Sequence, residues 1–254
     1  MNTRRPPPTA CILAVALAWG LRGGAPAAAG EPLALSLRAA PNDTVFLLEG
    51  KDIDDASVNL TVLGISRCDC RLACLEHDWC LAVAVSDDGG EKLQCRLSDR
   101  VPEAHRLVDM NNTTFIYWEA SLPSFDVRGR EADSLFYIEA KELQDIVAAR
   151  EMCQSVPGFR LGVYKTETQL QLLVDMAKEA SVGMFTDLRR TIGLWRYGDD
   201  FTPANRTLIS AVLSLNSLFD GLNDGFVAAF MSQDGYYGIN DTGENMRVIC
   251  QANP

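Results

Sequence analysis

The stretch "AAREMCQSVPGFRLGVYKTETQLQLL", Ala148 to Leu173, decides the fold of the second half of this chain. It contains two helical patterns separated by a break. The first runs through "KELQDIVAAREMCQSV" (Lys141 to Val156) and carries Leu143, Ile146, Val147 and Met152 on or near one face. Pro157 and Gly158 interrupt it and lead into a short strand, "FRLGVY". Thr166 then caps "ETQLQLLVDMAKEA", with Leu170, Leu173, Val174 and Ala177 expected inward. Beyond it the period changes. "TIGLW" (Thr191 to Trp195), "FVAAFM" (Phe226 to Met231), "GYYGIND" (Gly235 to Asp241) and "MRVICQ" (Met246 to Gln251) read as short strands. Two helices followed by several strands predict an α+β domain.

The start of the chain sets the expected compartment. Arg4 and Arg5 precede an apolar run, "CILAVALAWGL", and Ala27-Ala28-Ala29 supplies small residues for cleavage. This pattern is read as a signal peptide over residues 1–29, cut after Ala29 or Gly30. A membrane span needs about twenty apolar residues, roughly twice the length of this run. No later stretch is long and apolar enough to span, so a soluble secreted protein without a membrane span is expected. The net charge of -11 argues against a nucleic-acid partner, which selects a basic face.

Cysteine usage divides what remains. Of the eight cysteines, Cys11 lies in the leader and five fall between Cys68 and Cys95. Cys153 and Cys250 stand far apart in the second half. In an oxidising compartment disulfides are the default, with metal binding at the Cys68 cluster a weaker alternative. Between the two groups lies a cysteine-free stretch of mixed charge. The expected organisation is an N-terminal segment (30–43), a first domain (44–119), a linker (120–134) and a second domain (135–254). Acceptor sequences for N-linked glycans occur at Asn42, Asn59, Asn111, Asn112, Asn205 and Asn240.

In the first domain "VFLLEG", "VNLTVLGI", "CLAVAV", "KLQCRL" and "TTFIYWE" read as strands. One helix interrupts them. Ser66 caps it, Cys70 and Cys74 share one face, and Leu72 and Leu75 are expected to fill the adjacent stripe. "CRLACLEHDWCLAVAV…LQCRL" resembles the core of a PAN/apple domain. The resemblance implies a helix stapled to a sheet through Cys70–Cys95 and Cys74–Cys80, with Cys68 extra to the pattern. Seven mature cysteines leave one over, so Cys68 is expected to be unpaired or to link two chains, as in a disulfide-bonded homodimer.

The second domain resembles the C-type lectin-like fold, from about Leu135 to Ala252. The resemblance implies a bridge from Cys153 in the first helix to Cys250 in the closing strand. Sugar-binding members of that family hold calcium with a loop reading Glu-Pro-Asn or Gln-Pro-Asp and an Asn-Asp pair on a following strand. This chain offers Gly221-Leu222-Asn223 in the first place, with Asp220 and Asp224 close by, and Asn240-Asp241 in the second. Calcium wants six to eight oxygens, and the lost loop carboxylate weakens the set. These residues also suit ordinary turns, and a glycan on Asn240 would block the site.

No nucleophile motif, phosphate loop or metalloprotease helix is present, and Asp199-Asp200 reads as a solvated turn. The expected function is therefore non-enzymatic: extracellular recognition of a protein partner, with no cofactor required. The alternatives are a calcium-dependent lectin for a glycan ligand and a structural component of an extracellular matrix.

Overall fold

The computed structural model describes residues 35–40, 43–131, 133, 135–179, 183–191, 194–199, 201–205, 207, 227–231, 235–239 and 245–252. The first half forms a six-stranded antiparallel sheet in the order β1-β2-β6-β4-β5-β3. Its strands are β1 (Leu35–Ala40), β2 (Asp43–Ile53), β3 (Leu60–Gly64), β4 (Ala82–Ser86), β5 (Leu93–Ser98) and β6 (Leu107–Trp118). β1 occupies the segment expected only as an N-terminal extension, where it pairs with β2 from Leu35↔Leu48 to Ala40↔Asp43.

Helix α1 (Arg67–Leu75) starts at a reciprocal cap. The Asp69 amide donates to Ser66 Oγ at 3.2 Å, and the Ser66 amide donates to Asp69 Oδ2 at 2.9 Å. Such a cap contributes about 1 kcal/mol. Cys70 and Cys74 face the sheet and form the bridges Cys70–Cys95 and Cys74–Cys80. Around them Val45, Leu47, Val83, Val85, Leu97 and Ile116 complete an apolar layer. Leu72 does not join it and is 39% exposed. Two residues beyond Cys70 is about 200° around a helix, so with the cysteines inward Leu72 points away.

Period-two alternation sends the next residues of the same strands to the opposite face. Phe46, Leu48, Ala82, Ala84, Phe115 and Tyr117 belong to a second core. That core continues into Ile138, Ala149, Cys153, Phe159 and Cys250 of the second half. Phe46 meets Phe159 edge-on with ring centroids 5.7 Å apart, and Tyr117 Oη donates to the Pro157 carbonyl at 2.6 Å. The two halves thus share one hydrophobic interior.

The expected linker is corrected accordingly. Within residues 120–134, strand β7 (Phe125–Arg130) pairs with β8 (Phe136–Ala140), and Leu122 and Phe125 are buried in the shared core. The alternation of Phe125 and Val127 with polar neighbours is a strand pattern broken by a bulge between Val127 and Gly129, where Gly129 takes a φ of +93°.

The second half holds two four-stranded sheets, β7-β8-β14-β9 and β11-β10-β12-β13. The remaining strands are β9 (Phe159–Leu161), β10 (Met184–Thr191), β11 (Leu194–Tyr197), β12 (Val227–Met231), β13 (Gly235–Ile239) and β14 (Ile249–Ala252). Helix α2 is Ile146–Ser155, five residues shorter at its start than the pattern suggests. Asp145 caps it, accepting from Val147 and Ala148 amides at 2.9 Å. Ile146, Ala149 and Cys153 are the buried stripe, while Leu143 and Val147 are exposed. Helix α3 (Glu167–Lys178) begins at the Thr166–Gln169 capping box and buries Leu170, Leu173 and Ala177 together with Leu172 and Met176. "TIGLW" is not one strand: Thr191 closes β10, Leu194 opens β11, and the two pair across a hairpin.

Cys153 and Cys250 join α2 to β14, which lies between β8 and β9. Cys68 is also disulfide-bonded, and no free cysteine occurs among the described residues. The expectation of a free Cys68 that links two chains is therefore corrected; its sulfur is already engaged.

Glu139 on β8 ties these layers electrostatically. Arg247 donates to it through Nε and Nη2 at 2.7 and 2.9 Å, and Arg128 Nη1 at 2.8 Å. Burial acts to raise the Glu139 pKa, but the two guanidiniums outweigh it and hold the carboxyl below its ordinary value of 4.5. A depressed carboxylate stabilises the fold above its unfolded pKa and loses that contribution as pH falls through the folded one. Glu139→Gln is expected to flatten the fall in urea midpoint between about pH 5 and pH 3. An unchanged pH slope would show that Glu139 is not one of the groups driving acid unfolding.

Candidate functional site

The calcium set expected from sequence (Asn223, Asp224, Asn240 and Asp241) lies outside the described residues, as do the glycan acceptors Asn42 and Asn240. The strands these segments adjoin are described. β12 and β13 form an antiparallel hairpin in which Val227 pairs with Ile239. Among the described residues no group of three His, Cys, Asp or Glu side chains is arranged to hold a metal ion.

The four other acceptors, Asn59, Asn111, Asn112 and Asn205, are all exposed. Asn111 and Asn112 sit on a bulge of β6. Glu49 pairs with Thr114 and Lys51 with Asp109, so β6 carries extra residues opposite Gly50. Asn112 takes a φ of 60°, a left-handed conformation that asparagine tolerates better than most residues. The bulge lifts both acceptors off the ladder.

The same bend helps form a cleft of about 550 Å³. It lies between the outer end of β2 and the β4-β5-β3 part of the sheet, and Asp52, Arg96, Thr61, Gln94 and Met110 are among its lining residues. At its wall Arg96 Nη1 donates to Asp52 Oδ2 at 2.7 Å, with the Asp52 side chain only 1% exposed. A second Arg96 nitrogen reaches Asp55. The pair was not legible in the sequence, because its members lie 44 residues apart on strands that only the tertiary fold brings together.

A second polar cluster joins β8, β9, β14 and the end of β11. Tyr137 Oη donates to Asp133 Oδ2 at 2.6 Å and accepts from Gln251 Nε2 at 2.8 Å. Gln251 Oε1 in turn accepts from the Val163 amide at 3.2 Å. Burial, reinforced by the nearby Tyr164, holds the Tyr137 hydroxyl well above its ordinary pKa, so it stays protonated. Asp199 is not a free turn carboxylate: Arg160 Nη1 and Lys165 Nζ contact its Oδ2 at 2.7 and 2.8 Å. Lys165 also lies over the Tyr197 ring, 5.2 Å from its centre. These contacts brace the scaffold around the strand ends.

The two histidines occupy separate settings. His77 stacks on Trp79 with centroids 5.0 Å apart, in the loop closed by Cys74–Cys80. His105 meets Phe115 edge-on at 5.3 Å, and burial lowers its pKa. No helix among the described residues is long and apolar enough to cross a membrane.

No protein-family model and no curated protein matches this chain. Solved structures do resemble it in part. TC14, a C-type lectin from the tunicate Polyandrocarpa misakiensis, is 14% identical, and the match covers 45% of this chain and 94% of that one with a TM-score of 0.37. Human lithostathine is 12% identical over 52% of this chain and 90% of its own, with a TM-score of 0.38. Ovocleidin-17, a major protein of the calcified eggshell layer of Gallus gallus, is 17% identical over 52% and 98%, with a TM-score of 0.38. Likenesses of this strength name no ligand for this chain.

Proposed function

We propose that this chain is a secreted, glycosylated, non-enzymatic recognition protein. In this reading its first half is PAN/apple-like, its second half is C-type lectin-like, and its ligand is an extracellular protein. The observation that carries the reading is the shared core. Phe46, Phe115 and Tyr117 of the first sheet pack with Phe159 and Cys153 of the second half. Loops from both halves are therefore carried by one packed core, and a protein partner can contact both at once. The disulfides among the described residues support an oxidising compartment. A fold does not name a ligand, so the assignment rests on the test.

The alternative, a calcium-dependent lectin, is favoured by the Asn240-Asp241 pair and opposed by the loop at Asn223, which lacks its leading carboxylate. The purified protein is to be passed over immobilised sugars with calcium and with chelator, and over an array of extracellular proteins. The expected result is protein capture without calcium-reversible sugar retention. Sugar retention that needs calcium and is abolished by Asp241→Ala would replace this reading with the lectin.

A further inference from the structure

We infer that a glycan on Asn59 guards an open sheet edge and keeps the chain from pairing with its own copies. The inference rests on the reading of the chain as a secreted glycoprotein. The first sheet ends at β3, and among the described residues no strand pairs with the far side of it. An exposed edge presents unpaired backbone donors and acceptors, a template for another strand. Apolar side chains strengthen the hazard here: Leu63 on β3 is 66% exposed and Ile65, just beyond it, 80%. The edge is also rigidly held. A side chain at Gly64 would lie 3.1 Å from Cys95 Sγ and 3.3 Å from Cys70 Sγ, so the strand abuts the bridge that pins α1.

Folded proteins blunt such edges with charges, proline, bulges or a covering segment. β3 reads "LTVLG" and holds no charge and no proline. What it has is an acceptor sequence at its mouth. Asn59 immediately precedes β3 and is exposed, and Thr61, two residues on, is exposed on the strand. The Asn59 side-chain oxygen, Oδ1, accepts from the Asp99 backbone amide at 3.1 Å. A glycan attaches through the side-chain nitrogen and leaves that bond in place. Four residues of extended chain put Leu63 about 13 Å from Asn59, close enough for a bulky, hydrated group to cover the edge.

The test uses the full chain secreted from cells that glycosylate. Peptide mass spectrometry reads occupancy at Asn59, and size-exclusion chromatography with light scattering reads mass. Wild type is expected to be modified at Asn59 and monomeric. Asn59→Gln and Thr61→Ala remove the acceptor by different routes, and both are expected to shift toward dimers or larger species. Adding Leu63→Lys to Asn59→Gln is expected to restore the monomer by placing a charge on the edge. An unmodified Asn59 in wild type sinks the glycan at this position. Occupancy with unchanged mass in both variants overturns the guarding role alone and leaves the glycoprotein reading standing. Association that Leu63→Lys does not reverse overturns the edge as its cause.

Discussion

Replacing Cys153 and Cys250 together by alanine is expected to lower stability by about 4–5 kcal/mol. The bridge closes a loop with a sequence separation of 97, among the longest a single domain offers. In the chain-entropy description the gain grows with loop length, because the cross-link restricts the unfolded ensemble. The native side adds to it. β14 is an inner strand, paired with β8 from Ile249↔Glu139 to Gln251↔Tyr137 and with β9 from Cys250↔Leu161 to Ala252↔Phe159. Both cysteines are fully buried, so two alanines also leave a void. For a chain of this size the loss corresponds to roughly 10–20 °C in melting temperature. The Cys74–Cys80 bridge spans a separation of only 6, and its removal should cost about half as much. Non-reducing thermal melts of the two double variants measure the contrast. Equal losses would show that loop length is not what the long bridge contributes.

Local signals in this sequence were readable wherever a few neighbouring residues decide the structure. Ser66 with Asp69 and Thr166 with Gln169 are capping boxes that mark helix starts by themselves. Cys70 and Cys74 define the inward face of α1, and the three described bridges outside Cys68 are the pairs implied by the two resemblances. Errors came where the deciding partner is distant in sequence. Leu143 and Val147 fit an apolar stripe, yet α2 turns Ile146, Ala149 and Cys153 inward because Cys153 must meet Cys250. The stretch 120–134 looked like a connector because its charges are local, while the strand that pairs with β7 lies beyond it. Cys68 is left over by arithmetic on the seven mature cysteines, yet it is disulfide-bonded, and a count alone does not show which cysteines pair. The candidate calcium residues fall outside the described residues, so their sequence reading stands alone.

Asp187 is the last such long-range feature, and its substitution carries the second large expected effect. It lies on β10 and is only 6% exposed. Its Oδ1 accepts from Arg150 Nε at 3.2 Å and Arg189 Nε at 2.8 Å, and its Oδ2 accepts from Arg189 Nη2 at 3.1 Å. A carboxylate this buried is tolerated because two guanidiniums and the α2–β10 contact surround it. Removing one member of a buried charge group is costly, since the remaining charges lose their compensation. Asp187→Ala is expected to destabilise by about 3–5 kcal/mol. Gly198, on the neighbouring turn, supplies an independent check. Its amide donates to the Asp187 carbonyl at 2.7 Å, and a side chain there would lie 2.2 Å from the carboxylate carbon. Glycine is thus required for room. Gly198→Ala should push the carboxylate off Arg150 and Arg189 and reproduce much of the Asp187→Ala loss. In a chain already carrying Asp187→Ala the obstruction is gone, so adding Gly198→Ala should cost little more. Chemical denaturation of the two single variants and the double variant tests this coupling, which for groups in contact is typically about 0.5–3 kcal/mol. Strictly additive losses would show that Gly198 and the Asp187 carboxylate act independently, and that the glycine is needed for some reason other than this packing.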